Sequence, residues 1–184
     1  MTDLAFGQPE DGIIQMAYTV ASLDEAMQTF SDNLRAGPWF VFRKLAGRNP
    51  LYRGKPAQAV NDVALGFAGH MQIELIQPLD DRPSVYRETI QARGHGFHHF
   101  GVAVRDFEQA CVAEAAKGYD LAFTDAVEGV GRVAYFDTRG LLPGMLELIE
   151  ASPQLESLFN MMREAARDWD GSNPVRELPA GDPA

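Results

Sequence analysis

Apolar and polar residues alternate along several short stretches of the chain, and alternation of that period marks strands with two distinct faces. From Phe97 to Val104 it puts His99, Gly101 and Ala103 on one face and His98, Phe100, Val102 and Val104 on the other. A similar strand runs from Ile13 to Val20. Each leads into a helix with a cap at its start: Ser22 with Glu25 three residues on, then Asp106 with Gln109. Ala26, Met27, Phe30 and Leu34 recur at helical spacing, as expected of a stripe packed on a sheet. Three strands follow in each half. The first half offers Trp39–Phe42, Val60–Phe67 and Met71–Gln77, and the second Tyr119–Thr124, Arg132–Asp137 and Met145–Glu150. The order is β-α-β-β-β, twice, so the expected fold class is α+β, with two βαβββ modules forming a curved, barrel-like mixed sheet and helices on the outside.

This pattern divides the chain into a flexible leader at residues 1–12, a first module at 13–79, a linker at 80–96, a second module at 97–151, a C-terminal helix at 152–170 and a disordered tail at 171–184. The linker has room for a short helix. Ser152-Pro153 starts the last helix, with Leu155, Leu158, Phe159 and Met162 on its apolar side. That side can pack on its own chain or on a second subunit. The tail is rich in Gly, Pro and Asp.

The halves also echo residue by residue. Gln15-Met16-Ala17-Tyr18 lies over His99-Phe100-Gly101-Val102, and Glu74-Leu75-Ile76-Gln77 over Glu147-Leu148-Ile149-Glu150. An amide, an imidazole and two carboxylates thus occupy two pairs of equivalent positions. Two glutamates within apolar strands need a compensating partner if they face inward. A divalent ion supplies one, and a set of one nitrogen and three oxygens suits Zn, Ni, Co, Mn or Fe. The plainer alternative is that Glu74 and Glu147 are outward, solvated strand residues.

Composition narrows the partners. The 184 residues are 46% hydrophobic, enough for a sizeable core, and 16 Lys+Arg against 26 Asp+Glu give a net charge of -10. That charge argues against nucleic acid and anionic membrane. The lone cysteine, Cys111, excludes an internal disulfide and suits a reducing compartment. With no apolar leader or spanning run, the expected setting is cytoplasmic. The aromatic strand Trp39-Phe40-Val41-Phe42, with Tyr18, Tyr52, Arg132 and Tyr135, offers candidate substrate contacts, and the basic run Tyr52–Pro56 reads as a flexible solvated loop or, more sharply, as a lid or a site for a substrate carboxylate or phosphate.

The doubled β-α-β-β-β order, the segment Phe97–Val104 and the paired Glu-Leu-Ile segments resemble the vicinal oxygen chelate superfamily over residues 13–150. That superfamily includes glyoxalase I, methylmalonyl-CoA epimerase, extradiol dioxygenases and bleomycin-resistance proteins. The resemblance implies a glyoxalase-like fold with Gln15, Glu74, His99 and Glu147 as the metal ligands. It also implies a metal-dependent lyase, isomerase or epimerase that stabilises an enolate of a small oxygenated substrate. Glu147 is the first candidate for the base and Glu74 the second; alternatively both only hold the ion and another residue is the base. Gln15 argues against extradiol dioxygenase chemistry, which needs two histidines and one carboxylate. Thr19, His95 and Gln77-Pro78 stand where glutathione-binding side chains are expected in glyoxalase I, which argues against glutathione, while the aromatic strand Trp39–Phe42 with Tyr18 and Tyr52 points to an apolar or aromatic substrate. The expected partners are that small molecule and a second copy of the chain as a homodimer. The rival is a metal-free ligand-binding protein of the bleomycin-resistance kind, which has no need of four convergent donors.

Overall fold

A computed structural model describes residues 3–127 and 131–178. In chain order the elements are β1 (Ile13–Thr19), α1 (Leu23–Leu34), β2 (Trp39–Leu45), β3 (Leu51–Tyr52), β4 (Lys55–Pro56), β5 (Asn61–Ala68), β6 (Met71–Pro78), α2 (Val85–Arg93), β7 (Gly96–Val104), α3 (Phe107–Ala116), β8 (Asp120–Val127), β9 (Gly131–Asp137), β10 (Met145–Glu150), α4 (Pro153–Arg167) and β11 (Val175–Glu177). Apart from the small β3–β4 hairpin, each half runs strand, helix, three strands. The strands form one large, curved, open sheet in the order β11-β2-β5-β6-β1-β7-β10-β9-β8-β3-β4.

The halves meet at an antiparallel seam between β1 and β7, where Gln15 lies opposite Gly101 and Ala17 opposite His99. Each seam strand also pairs in parallel with the last strand of its own half, placing Gln15 beside Gln72 and His99 beside Met145. The register is therefore the same when the halves are exchanged. The two modules thus pair with each other within one chain.

Helices α1 and α3 cover the outer face. The Ser22 hydroxyl accepts from the Glu25 amide and the Asp106 carboxylate from the Gln109 amide, satisfying donors that each first turn leaves free. Leu23 and Met27 of α1 bury against Trp39, Val41, Ala64, Ile73 and Leu75. Phe107 of α3 packs with Val104, Ala134, Phe136 and Leu148. Each such side chain contributes about 1.5–3 kcal/mol.

The inner face is filled partly by α4, whose Leu155, Phe159 and Met162 join Val63, Leu65 and Phe67 in one cluster, so the last helix packs on its own chain. The leader contributes as well. Leu4 and Phe6 are 2% and 1% exposed, and Phe6 meets Phe159 edge-on at 5.4 Å. The expectation of a flexible segment is corrected for residues 3–12: two apolar residues in a polar stretch suffice to anchor it.

The tail is corrected in the same way. Val175, Arg176 and Glu177 add to the open edge of β2, opposite Trp39, Phe40 and Val41. An unpaired strand edge is a template for pairing, and a three-residue segment meets it whatever the surrounding glycine and proline content. Residues 179–184 of the expected tail lie outside the described residues. The basic run at Tyr52–Pro56 is a paired hairpin against β8, with Arg53 bonded to Glu88 and Asp137.

Candidate metal centre

Glu74, His99 and Glu147 converge on the inner face, with one ligand atom from each lying within 4.8 Å of the others. The sheet produces this directly. Glu74 sits opposite Ala17, the seam partner of His99, and Glu147 opposite Gly101, the seam partner of Gln15. His99 Nε2 lies 3.2 Å from Glu74 Oε2 and 3.0 Å from Glu147 Oε2, and its ring is fully buried.

Gln15 is the fourth candidate. It is 3% exposed and lines the same cavity as Glu74 and Glu147. Its Nε2 donates to Gln72 Oε1 at 3.0 Å, which leaves Oε1 as the free end of the amide. Gly101 makes this possible: a Cβ there would stand 2.7 Å from Gln15 Oε1. The small residues after His99 therefore serve a neighbour across the seam.

Three of these donors have no hydrogen-bond partner although they are buried: Gln15 Oε1, Glu74 Oε2 and His99 Nε2. The imidazole is close to both acids but directed at neither with hydrogen-bond geometry. Leaving such groups unsatisfied costs about 1–3 kcal/mol each, more when charged. A divalent ion among an imidazole, an amide oxygen and two carboxylates satisfies all of them at once, so the donor set fits the group.

The electrostatics agree. Burial pushes the Glu74 carboxyl up, and nearby Glu147 adds to this while His99 opposes it. Burial alone would lower His99, but the Glu147 and Glu74 carboxylates outweigh it and raise the imidazole to about 9. Without another cation, the site uses a proton on His99 to offset its acids.

A cavity of about 100 Å³ opens beside the cluster. Its apolar wall includes Phe42, Leu45, Val63, Leu65, Phe123 and Val133. Tyr86 and Tyr135 add hydroxyls 3.2 Å apart, and burial pushes both far above their ordinary value, so both stay neutral. One donates to the other, whose own proton is then free for an acceptor in the cavity. Asp125 also reaches the wall, held by the Asn49 and Ala126 amides.

Of the candidate substrate contacts, Phe42 and Tyr135 line this cavity and the others do not. Tyr18 is on the outer face, edge-on to Phe30 and Phe97. Trp39 is sealed under α1, where its indole N–H donates to Ser31 Oγ. Phe40 faces inward but is buried in the core beneath Arg176. The Tyr52 hydroxyl bonds Glu88 at 2.5 Å. Arg132 is on the outside, paired with Glu150 and Glu108. Strand alternation separates the aromatic residues of β2, and the arginine follows the outward face of β9.

His98 is a further correction. Alternation puts it with Phe100 on the outer face, yet it lies fully buried inside, with Nδ1 2.8 Å from His99 Nδ1. The ladder explains this: Ala17 pairs with His99 and Tyr18 with Phe97, so His98 is the extra residue of a β-bulge. Its Nε2 is 3.1 Å from the Val85 carbonyl in the first turn of α2. Neither Tyr86 nor the inward turn of His98 leaves a local signal in the sequence. Gln72 was within reach, sharing a strand face with Glu74.

The family model described as the Glyoxalase/Bleomycin resistance protein/Dioxygenase superfamily matches residues 14–136. No curated protein matches the sequence. Among solved structures, the hypothetical protein BH1468 from Bacillus halodurans C-125 is 20% identical, covering 76% of this chain and 93% of its own, with a TM-score of 0.58. Methylmalonyl-CoA epimerase from Mycobacterium tuberculosis is 21% identical over 85% of this chain and 95% of its own, with a TM-score of 0.55. A Streptomyces coelicolor methylmalonyl-CoA epimerase in complex with 2-nitronate-propionyl-CoA is 12% identical over 77% and 98%, with a TM-score of 0.51. At these identities the likeness is one of fold.

Proposed function

The chain belongs to the Glyoxalase/Bleomycin resistance protein/Dioxygenase superfamily, and from that premise we propose that it is a metal-dependent isomerase, epimerase or lyase acting on a small, neutral, apolar or aromatic oxygenated molecule. One observation carries the reading: buried Gln15 Oε1, Glu74 Oε2 and His99 Nε2 lack hydrogen-bond partners beside Glu147, where a single cation would satisfy them all. A divalent ion held by Gln15, Glu74, His99 and Glu147 supplies Lewis-acid polarisation of a substrate carbonyl.

The chain's own residues do the rest. Glu147 takes a proton from the carbon beside the carbonyl and returns it, with Glu74 as the second candidate. The hydroxyl left free in the Tyr86–Tyr135 pair donates to a substrate oxygen. Phe42, Leu45, Val63, Leu65, Phe123 and Val133 take the apolar body and exclude water. No lysine or arginine is among the described residues lining the cavity, which supports a neutral substrate over glutathione or another anion. We place the protein in the cytoplasm as a homodimer. The single cysteine supports the compartment, and sedimentation tests the assembly.

Metal analysis tests the reading. The purified protein is expected to hold one divalent ion per chain and to lose thermal stability in EDTA. A protein with no metal at that level and an unchanged melting temperature in EDTA supports the metal-free ligand-binding alternative instead. Glu147→Gln is expected to abolish α-proton exchange of 2-hydroxyacetophenone in D2O while the fold is kept. Full exchange in that variant removes Glu147 as the base.

A further inference from the structure

The contact between the two adjacent histidines has a direction that can be deduced. His98 Nε2 lies 3.1 Å from the Val85 carbonyl oxygen, which can only accept, so His98 Nε2 carries a hydrogen. The His98 ring is fully buried, packed against Tyr86 at 4.9 Å and Tyr135 at 6.0 Å, and among the described residues its polar contacts are the Val85 carbonyl and His99, with no carboxylate. A neutral ring with its hydrogen on Nε2 has a bare Nδ1. That atom stands 2.8 Å from His99 Nδ1, so the hydrogen between them belongs to His99. A neutral His99 with its hydrogen on Nδ1 has its lone pair on Nε2, the atom that faces Glu74 and Glu147.

We propose that His98 is a positioning residue, which locks the His99 imidazole in the Nδ1–H form and aims Nε2 at the cation. The proposal rests on the reading of Gln15, Glu74, His99 and Glu147 as cation ligands, and adds to it the group that decides which nitrogen binds. The relay runs from the Val85 carbonyl through His98 to His99. Its fixed end is held by the helix start: Val85 is fully buried, and the Ser84 hydroxyl accepts from the Arg87 amide. The β-bulge is what allows it, since a regular strand would turn His98 to the other face. An outer partner that fixes a ligating histidine in this way commonly changes metal affinity by about 10–100-fold.

Three variants separate this role from simple packing. In His98→Asn the amide oxygen takes the place of Nδ1 and can accept from His99. In His98→Gln the amide nitrogen can reach the Val85 carbonyl, but no acceptor stands at the Nδ1 position. His98→Leu keeps the bulk and loses both contacts. Cobalt and zinc affinities measured by calorimetry, with the visible spectrum of the cobalt form, are expected to be near wild type for Asn and about 10–100-fold weaker for Gln and Leu. Equal affinities in all three, or an Asn variant as weak as Leu, overturn the proposal. A 15N–15N coupling across the Nδ1–Nδ1 hydrogen bond of metal-free wild-type protein gives an independent readout, and its absence also overturns the proposal. Wild-type protein that binds neither metal overturns the cation reading, while the coupling still decides the histidine contact.

Discussion

The two seam strands carry the same irregularity at equivalent places and use it differently. On β1 the ladder slips between Ile13 and Gln15, so Ile14 is the extra residue before the amide ligand candidate. On β7 it slips at His98, just before the imidazole. Ile14 is 1% exposed and belongs to the apolar core. His98 is equally buried but spends both ring nitrogens on hydrogen bonds. The difference follows from what each neighbour needs. An amide must be kept from flipping, and for Gln15 that control comes from Gln72 on the adjoining strand. An imidazole must be held in one tautomer, which takes an acceptor in the plane of its ring. A doubled architecture thus conserves backbone geometry while each half finds its own means of orienting a donor.

The largest effect expected from breaking this pair is on metal affinity. His99→Ala should weaken cobalt binding by more than about 100-fold, beyond what loss of an outer partner does, and Gln15→Ala by roughly tenfold. Equal losses would make the halves interchangeable. Acidity sharpens the same contrast, because the imidazole titrates and the amide does not. An ion bound at His99 would have to displace the proton that the neighbouring carboxylates favour there, the imidazole being raised to about 9. Affinity should therefore rise on the order of 100-fold from pH 6.5 to 9 and then level off, and His99→Gln should remove that rise. The metal-free protein should show the opposite trend. The folded value of His99 is raised above that of the unfolded chain, so its ion-pair stabilisation is complete below about pH 6.5 and is lost as pH climbs through 9. Melting temperature against pH in EDTA checks this.

Stability effects come next. Ile14→Ala should cost about 2–5 kcal/mol in denaturant unfolding while cobalt affinity changes little, since Ile14 fills space and orients nothing. Gly101→Ala should cost about 1–3 kcal/mol by overpacking and should disturb the Gln15 side of the cluster first, because the new methyl meets Gln15 Oε1. Denaturation curves and the cobalt spectrum of each variant read the two effects separately.

The repeat was legible because its signals are local. Capping pairs at Ser22 and Asp106 and the matching Glu-Leu-Ile runs need no knowledge of the partner strand. The same holds for the open curved sheet and for the convergence of Glu74, His99 and Glu147, which follows once equivalent strands are aligned. What escaped depends on distant contacts. The side on which His98 falls is decided by a slip against β1. Tyr86 reaches the cavity from a helix in the stretch that reads as a connector. Trp39 and Phe42 are both aromatic residues of one strand buried on both faces, and composition does not say which face meets the cavity. Leu4 and Phe6 are too few to give any period, yet each finds a slot in the core.

The seam between β1 and β7 has one more consequence. Because its register is unchanged when the halves are exchanged, a second molecule presents the same edge in the same phase as the chain's own other half. Only the connector, which contains α2, decides which edge is reached first. A chain with that connector cut short would pair by swapping halves, giving two composite pockets that each draw Gln15 and Glu74 from one molecule and His99 and Glu147 from the other.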